Sequence, residues 1–179
     1  FTPFVQHRIT PEILQRAMGA LIGSAIGDAL GAPFEFGPAD QYSTQFPQPV
    51  LGGVGEMIGG GSFSWEPAEF TDDTQMTLAL AESLLACGGL DLDDLWARFV
   101  AWRAGATDVG IATSRALSAT NRHEAAMNDA AEPGRSASNG ALMRTWAIAL
   151  AYIGHSTEEV MHVAFTQASM THFDPAAGW

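Results

Sequence analysis

The sequence is short of basic residues and nearly without cysteine. Eight Lys and Arg stand against twenty Asp and Glu, a formal charge of −12, and no basic stripe stands out along the chain. Tracking a nucleic-acid backbone or lying on an anionic membrane surface requires clustered cations, so neither is expected. Cys87 is the only cysteine, which excludes an internal disulfide and predicts a reducing, cytoplasmic setting. The opening stretch FTPFVQHRIT has neither the basic region nor the apolar core of a signal peptide, and it lacks an initiator Met, as a trimmed chain would. Also missing is the strict two-residue alternation of a half-buried strand. What is present is apolar: 47% of the 179 residues are hydrophobic, enough for one domain with a real core.

Helical punctuation recurs through that apolar content. Thr10-Pro11-Glu12 offers an N-cap, a proline at the first helical position and an early acid. Ile13, Leu14, Ala17, Met18, Leu21, Ile22, Ala25 and Ile26 follow at helical spacing, so one long helix is predicted. Its second half, AMGALIGSAIGDALGAPF from Ala17, has glycines at 19, 23, 27 and 31. That spacing also occurs in membrane helices, but Asp28 and Pro33 favour a helix buried in a soluble helical core, with the glycines admitting a close neighbour. Residues 31–70 are rich in Gly and Pro and read as a long loop. Further helices are predicted from Thr71 to Cys87, from Asp91 or Asp93 to about Arg103, from near Gly110, and from Ala141 to about Ile153. A last one opens at a capping box of Ser156 and Glu159. The expected fold is all-α, a compact multi-helix single domain without repeats or linkers.

Polar groups interrupt this framework at a few places. In FTDDTQM, Asp72 and Asp73 lie between Thr71 and Thr74 at a helix start. Negative charge there suits the helix dipole, and Thr71 can cap, yet one Asp would satisfy the cap, and two adjacent carboxylates repel unless a cation lies between them. Asp28 sits near the end of the glycine-lined helix, where an acid needs a partner or a cation. Glu35 follows Pro33 in the loop and is free to face a cleft or to be an ordinary surface acid. Asp108 precedes a helix start and reads equally as an N-cap. Ser138, Asn139 and Gly140 stand at the entry to another helix, where exposed amides can bind phosphate, though Ser and Asn also cap. Arg144, one turn further, is suited to pair with an acid or a phosphate. His172, in MTHFDP, has the bland reading of a structural hydrogen-bonding group. Trp96, Trp102, Trp146, Met76, Met143 and Met161 fit helix faces and are expected in the core.

The segments GALIGSAIGDALGAPFEF, WEPAEFTDDTQM, DVGIATSRAL, SNGALMR and MTHFDP, in that order between residues 19 and 175, make the chain resemble the ADP-ribosylglycohydrolases. The resemblance implies an all-α fold with two divalent cations, Mg²⁺ or Mn²⁺, at the base of an ADP-ribose cleft. It implies that Thr71, Asp72 and Asp73 are metal ligands that also cap, that Glu35 lies near the scissile ribose, and that Asp28 is the acid of the Gly-Asp motif that precedes it. Asp108 is matched to the acid near the leaving group, Ser138, Asn139 and Gly140 to the segment along the diphosphate and ribose, and His172 to a cleft histidine. The implied activity is hydrolysis of the C1″ bond between ADP-ribose and an acceptor on a protein or a small molecule, with Glu35 or Asp108 handling protons. The family's second ligand set, an Asp-x-Asp-Thr motif near the C-terminus, is absent from these residues. The chain therefore reads as the N-terminal portion of such a domain, either one piece of a cleaved enzyme whose C-terminal fragment completes the metal site or a fragment with half a metal site; the alternative to a hydrolase is a relative that binds ADP-ribose, or serves structurally, without turnover.

Overall fold

A computed structural model describes residues 2–4, 9–131 and 136–178. Part of the interruption AAEPGRSASNG, residues 132–135, lies outside the described residues. The chain forms two compact units, one of residues 10–74 and the other of residues 1–9 with 75–179.

The first unit opens with α1, Pro11–Gly31, whose N-cap Thr10 accepts a hydrogen bond from the Ile13 amide at 3.3 Å as its sequence predicts. Pro33 prevents a regular continuation, and one turn of 3₁₀ helix, Ala32–Phe34, leads into the loop that carries Glu35. That loop is long, as expected. It contains a short helix, α2, Gln41–Gln45, and a tight reversal in which Gly60 and Trp65 exchange backbone hydrogen bonds of 2.7 and 2.9 Å. Edge-to-face contacts of Phe34 with Tyr42 and Phe46 give the loop an aromatic anchor. Gly61, at φ +68°, lies so close to Pro33 that a Cβ there would sit 2.8 Å from the proline backbone. Only glycine allows this reversal to rest against the turn before Glu35.

One expectation fails in this unit. Predicted to be buried, α1 is largely exposed: Leu14, Met18 and Ile22 keep 52, 51 and 52% of their surface in contact with solvent. Among the described residues, apart from the glycine, its chain neighbours and the nearby backbone of α1 itself, no atom comes within 4 Å of a Cβ built at Gly19, Gly23, Gly27 or Gly31. Apolar spacing marks a face that would gain from an apolar neighbour, but it does not say that the described residues supply one. Residues 11–34 are also long and apolar enough to cross a membrane by length and composition alone.

Helix α3, Asp72–Cys87, starts at the end of the first unit and runs into the second. There, α4 (Leu92–Arg103), α5 (Ile111–Ala116), α6 (Arg122–Ala131), α7 (Leu142–Ala151), α8 (Thr157–Ala168) and α9 (Pro175–Gly178) follow in order. Asp91 caps α4 by accepting from the amides of Asp93 and Asp94, and Ser156 and Glu159 form the predicted capping box of α8. Met76, Leu80, Leu84, Leu95, Phe99, Ile148, Tyr152 and Val163 make the core. The described residues are all-α apart from one short antiparallel pair, β1 (Thr2–Pro3) with β2 (Gly89–Leu90), which the sequence pattern does not predict. Strands of two residues are too short to show any alternation. Met161 is a second correction: it is 48% exposed rather than in the core.

Candidate functional site

In the first unit, Asp28 links α1 to the start of α3. Its Oδ2 accepts from the Thr71 amide at 3.0 Å, the Thr74 amide at 3.1 Å and the Thr74 hydroxyl at 2.6 Å, while Oδ1 accepts from the Thr71 hydroxyl at 2.8 Å. These four donors are the company a half-buried acid on an apolar helix needs. They also revise the capping argument. The residue before a helix commonly caps it with its own side chain, but the Thr71 hydroxyl is turned to Asp28. The carboxylate, 46 residues away from Thr74 in sequence, takes the third amide of α3 in its place.

This arrangement bears on cation binding. A threonine hydroxyl that gives its hydrogen to a carboxylate keeps its lone pairs for another partner and becomes a better oxygen donor. Thr71 and Asp72 are buried at 3 and 9% exposure, and Asp73 is half-buried, both acids lying in the first turn of α3. One polarised hydroxyl and two carboxylates suit a hard cation, although such ions take six or more oxygens. Among the described residues no group of three or more His, Cys, Asp or Glu is placed to hold a metal, so these three residues alone would be an incomplete coordination sphere. Glu35 is exposed at the end of the 3₁₀ turn.

In the second unit, the stretch SASNGALMR, residues 136–144, and the segment MTHFDP are joined by three hydrogen bonds. Ser136 accepts from the Asp174 amide at 3.0 Å, Ser138 Oγ lies 2.8 Å from His172 Nε2, and Arg144 donates to Thr171 Oγ1 at 2.8 Å. Ser138 and Asn139 are exposed in the turn before α7, and Gly140 is buried beneath the His172 ring. A Cβ at Gly140 would lie 2.8 Å from His172 Cε1 and Nε2 and 3.1 Å from Thr113 Oγ1, so the ring seats only against glycine. His172 is 1% exposed. Burial, with a smaller contribution from the Arg144 cation, lowers its pKa to about 4 and keeps it neutral near pH 7. Asp108 is half-buried ahead of α5, whose N-cap position is held by Gly110 without a side-chain cap.

Arg144 departs from its expected pairing with an acid or a phosphate. It is fully buried, with Nε donating to Gln167 Oε1 at 2.9 Å and its guanidinium carbon 4.7 Å from the centre of the Phe99 ring. Neutral oxygens and a π face hold the cation, and burial lowers its pKa to about 9, which leaves it charged at neutral pH. Neither Thr171 nor Gln167 stood out in the sequence. The distance of 27 residues between Thr171 and Arg144 hides a contact that depends on α7 and α8 packing together.

A cavity of about 1240 Å³ in the same unit is lined mainly by apolar groups, including Leu92, Met161, Phe165, Met170 and Phe173. None of the candidate residues lines it, so its size is no reason to move the site there.

Comparison with known proteins gives a consistent result. The profile of the ADP-ribosylglycohydrolase family matches residues 9–179. The chain is 38% identical over 166 residues to the ADP-ribosyl-dinitrogen reductase glycohydrolase of Rhodospirillum rubrum, covering 92% of this chain and 54% of that protein. It is 39% identical over 141 residues to the ADP-ribosylarginine hydrolase Tri1 of Serratia proteamaculans (strain 568), covering 74 and 36%. A solved structure titled ADP-ribosylglycohydrolase-related protein complex aligns with a TM-score of 0.68 at 35% identity, covering 91% of this chain and 51% of that one. The chain thus spans about half the length of such relatives, or less.

Proposed function

Since the chain belongs to the ADP-ribosylglycohydrolase family, we propose that it forms part of a hydrolase that depends on Mg²⁺ or Mn²⁺ and cleaves the C1″ glycosidic bond of an ADP-ribosylated acceptor. The observation that carries this reading is the Asp28 cradle, which holds the Thr71 hydroxyl with its hydrogen turned away and its lone pairs open beside Asp72 and Asp73. Two bound cations would supply charge stabilisation and a more acidic water. The remaining chemistry falls to side chains. A carboxylate has to handle protons as the bond to C1″ breaks with oxocarbenium character, and Glu35 and Asp108 are the two candidates. His172 is a poor candidate for that task, because it is neutral and both ring nitrogens already have partners. Ser138 and Asn139, exposed ahead of α7, are suited to donate to diphosphate oxygens, with Gly140 and His172 shaping the turn behind them.

An arginine acceptor is the substrate we favour, because a carboxylate such as Asp108 can take a guanidinium in a bidentate pair. The names of two relatives, an ADP-ribosylarginine hydrolase and an ADP-ribosyl-dinitrogen reductase glycohydrolase, agree with a protein-linked or arginine-linked substrate. The single cysteine supports a cytoplasmic setting. The second reading, an ADP-ribose binder without turnover, is favoured by the absence of a complete ligand cluster among the described residues.

Native and denaturing mass measurements come first, to show whether a second polypeptide accompanies the chain and completes the site. Release of ADP-ribose from ADP-ribosyl-arginine is then followed with Mn²⁺, with Mg²⁺ and with EDTA. The hydrolase reading expects metal-dependent release that is lost in Asp72→Ala and in Asp73→Ala. Release that persists in both variants sinks it, and saturable ADP-ribose binding without release under either metal supports the second reading.

A further inference from the structure

Arg144, Thr171, His172 and Ser138 form one hydrogen-bonded line. Its distances are 2.8 Å from Arg144 Nη2 to Thr171 Oγ1, 2.9 Å from Thr171 Oγ1 to His172 Nδ1, and 2.8 Å from His172 Nε2 to Ser138 Oγ. The positions of the hydrogens follow from the first link. A guanidinium has only hydrogens to give, so Thr171 accepts from Arg144. Thr171 is 1% exposed, and a buried hydroxyl hydrogen left without an acceptor is costly. The acceptor within reach is Nδ1, so the other ring nitrogen of a neutral His172 carries the hydrogen and donates to Ser138. Ser138 Oγ then accepts from His172, and its own hydrogen points to another partner.

We propose that Thr171, anchored by Arg144, is a positioning residue that locks His172 as the Nε2–H tautomer and thereby makes the exposed Ser138 hydroxyl an outward hydrogen-bond donor to an anionic oxygen, such as one of a diphosphate. The ligand class rests on the proposed function, whereas the tautomer follows from the geometry of the second unit. Gly140 contributes by leaving space for the ring at this height. A protonated ring would point a second N–H at Thr171 and face the Arg144 cation, and burial together with that cation opposes protonation near neutral pH. The role given to Arg144 differs from that of a substrate-binding arginine: its charge never meets the ligand, and it acts by fixing which way three hydroxyl and ring hydrogens run.

The test is the side-chain ¹⁵N–¹H multiple-bond NMR spectrum of the 179-residue chain at neutral pH, which distinguishes the two histidine tautomers directly. The wild-type chain is expected to show the Nε2–H form of His172. Thr171→Val, which keeps the shape but removes the hydroxyl that donates to Nδ1, is expected to move the His172 Nδ1 resonance to that of a ring nitrogen without a hydrogen-bond donor, and Thr171→Ser to restore the wild-type pattern. With ADP-ribose as the probe, Thr171→Val is expected to raise Kd roughly tenfold, about the worth of one hydrogen bond to a charged group, and Thr171→Ser to recover most of that loss. An Nδ1–H form in the wild-type chain, a measurement that needs no variant to fold, overturns the proposal, as does a His172 Nδ1 resonance unchanged by Thr171→Val. Failure of the wild-type chain to bind ADP-ribose counts against the proposed function, while the tautomer result still decides the relay.

Discussion

Asp28 supports two separable claims, and two substitutions divide them. Asp28→Ala removes the acceptor of four hydrogen bonds at once. Loss of an N-cap costs about 1 kcal/mol, and each hydroxyl stranded at Thr71 or Thr74, which are 3 and 5% exposed, adds roughly 1–3 kcal/mol. Allowing for some rearrangement, the expected loss is about 3–5 kcal/mol, a large part of a typical folding free energy. At a urea m-value of about 2 kcal/mol/M this lowers the unfolding midpoint, followed by far-UV circular dichroism, by roughly 2 M. Asp28→Asn behaves differently. With its amide oxygen in the place of Oδ2 it keeps the Thr71 and Thr74 amides and the Thr74 hydroxyl, so the fold loses little, about 1 kcal/mol. The amide nitrogen then lies where Oδ1 was and donates to Thr71, whose own hydrogen is forced outward, toward the position a cation would take. Calorimetric titration with Mn²⁺ should therefore find affinity lost in a variant that remains folded. A loss of stability below about 1 kcal/mol in Asp28→Ala refutes the capping argument, and wild-type Mn²⁺ affinity in Asp28→Asn refutes the claim that Asp28 prepares Thr71 as a ligand.

The second unit gives three further predictions. His172 is lowered from 6.5 to about 4, so its contribution is complete above pH 6.5 and is lost as the pH falls through about 4; the most this can remove is about 3 kcal/mol. Comparing urea midpoints at pH 7 and pH 4 should show a smaller acid loss in His172→Gln, and equal losses would exclude His172 as the cause. Gly140→Ala places a methyl group 2.8 Å from the His172 ring, which should cost about 1–3 kcal/mol by thermal unfolding and disturb the Ser138 contact in the NMR spectrum; an unperturbed His172 would contradict the close seat. Arg144→Ala opens a void beside Phe99 and orphans the oxygens of Gln167 and Thr171, an expected cost of about 3–5 kcal/mol in urea unfolding, and a change below about 1 kcal/mol would show that the buried cation contributes little.

The legible parts of the fold are those whose signals are local. Thr10-Pro11, Asp91 and the Ser156–Glu159 box each place a cap within three residues of the amide it serves, and α1, α4 and α8 begin where those caps predict. Helix α6 was missed although it has a similar device, with the Glu124 amide donating to Asn121 Oδ1 at 3.0 Å and Glu124 accepting from the Thr120 amide at 2.7 Å. Its buried face is little more than Ala125, too sparse to register as a period. The pairing of β1 with β2 joins residues more than eighty positions apart and rests on two residues from each strand. Burial of α1 was misread for a different reason: an apolar face is a property of the helix, whereas its burial depends on which other segments are there to cover it.

At the candidate site the residue types were legible and the direction of their hydrogens was not. Thr71, Asp72 and Asp73 attract attention because adjacent acids beside hydroxyls are unusual, but nothing local reveals that the Thr71 hydroxyl gives its hydrogen to an acid 43 positions earlier. Ser138 and His172 could be named separately, yet whether Ser138 donates or accepts depends on Thr171, and Thr171 depends on an arginine one turn into α7. In both places the role of a hydroxyl is decided by the charge that lies behind it: an anion at the half-buried Asp28, which leaves the lone pairs of the buried Thr71 for another partner, and a cation at the buried Arg144, which leaves the hydrogen of the exposed Ser138 facing outward. The first suits a metal ion and the second suits an anionic oxygen. A threonine and a serine, nearly equivalent by composition, thus acquire opposite preferences from the sign of the charge buried behind each.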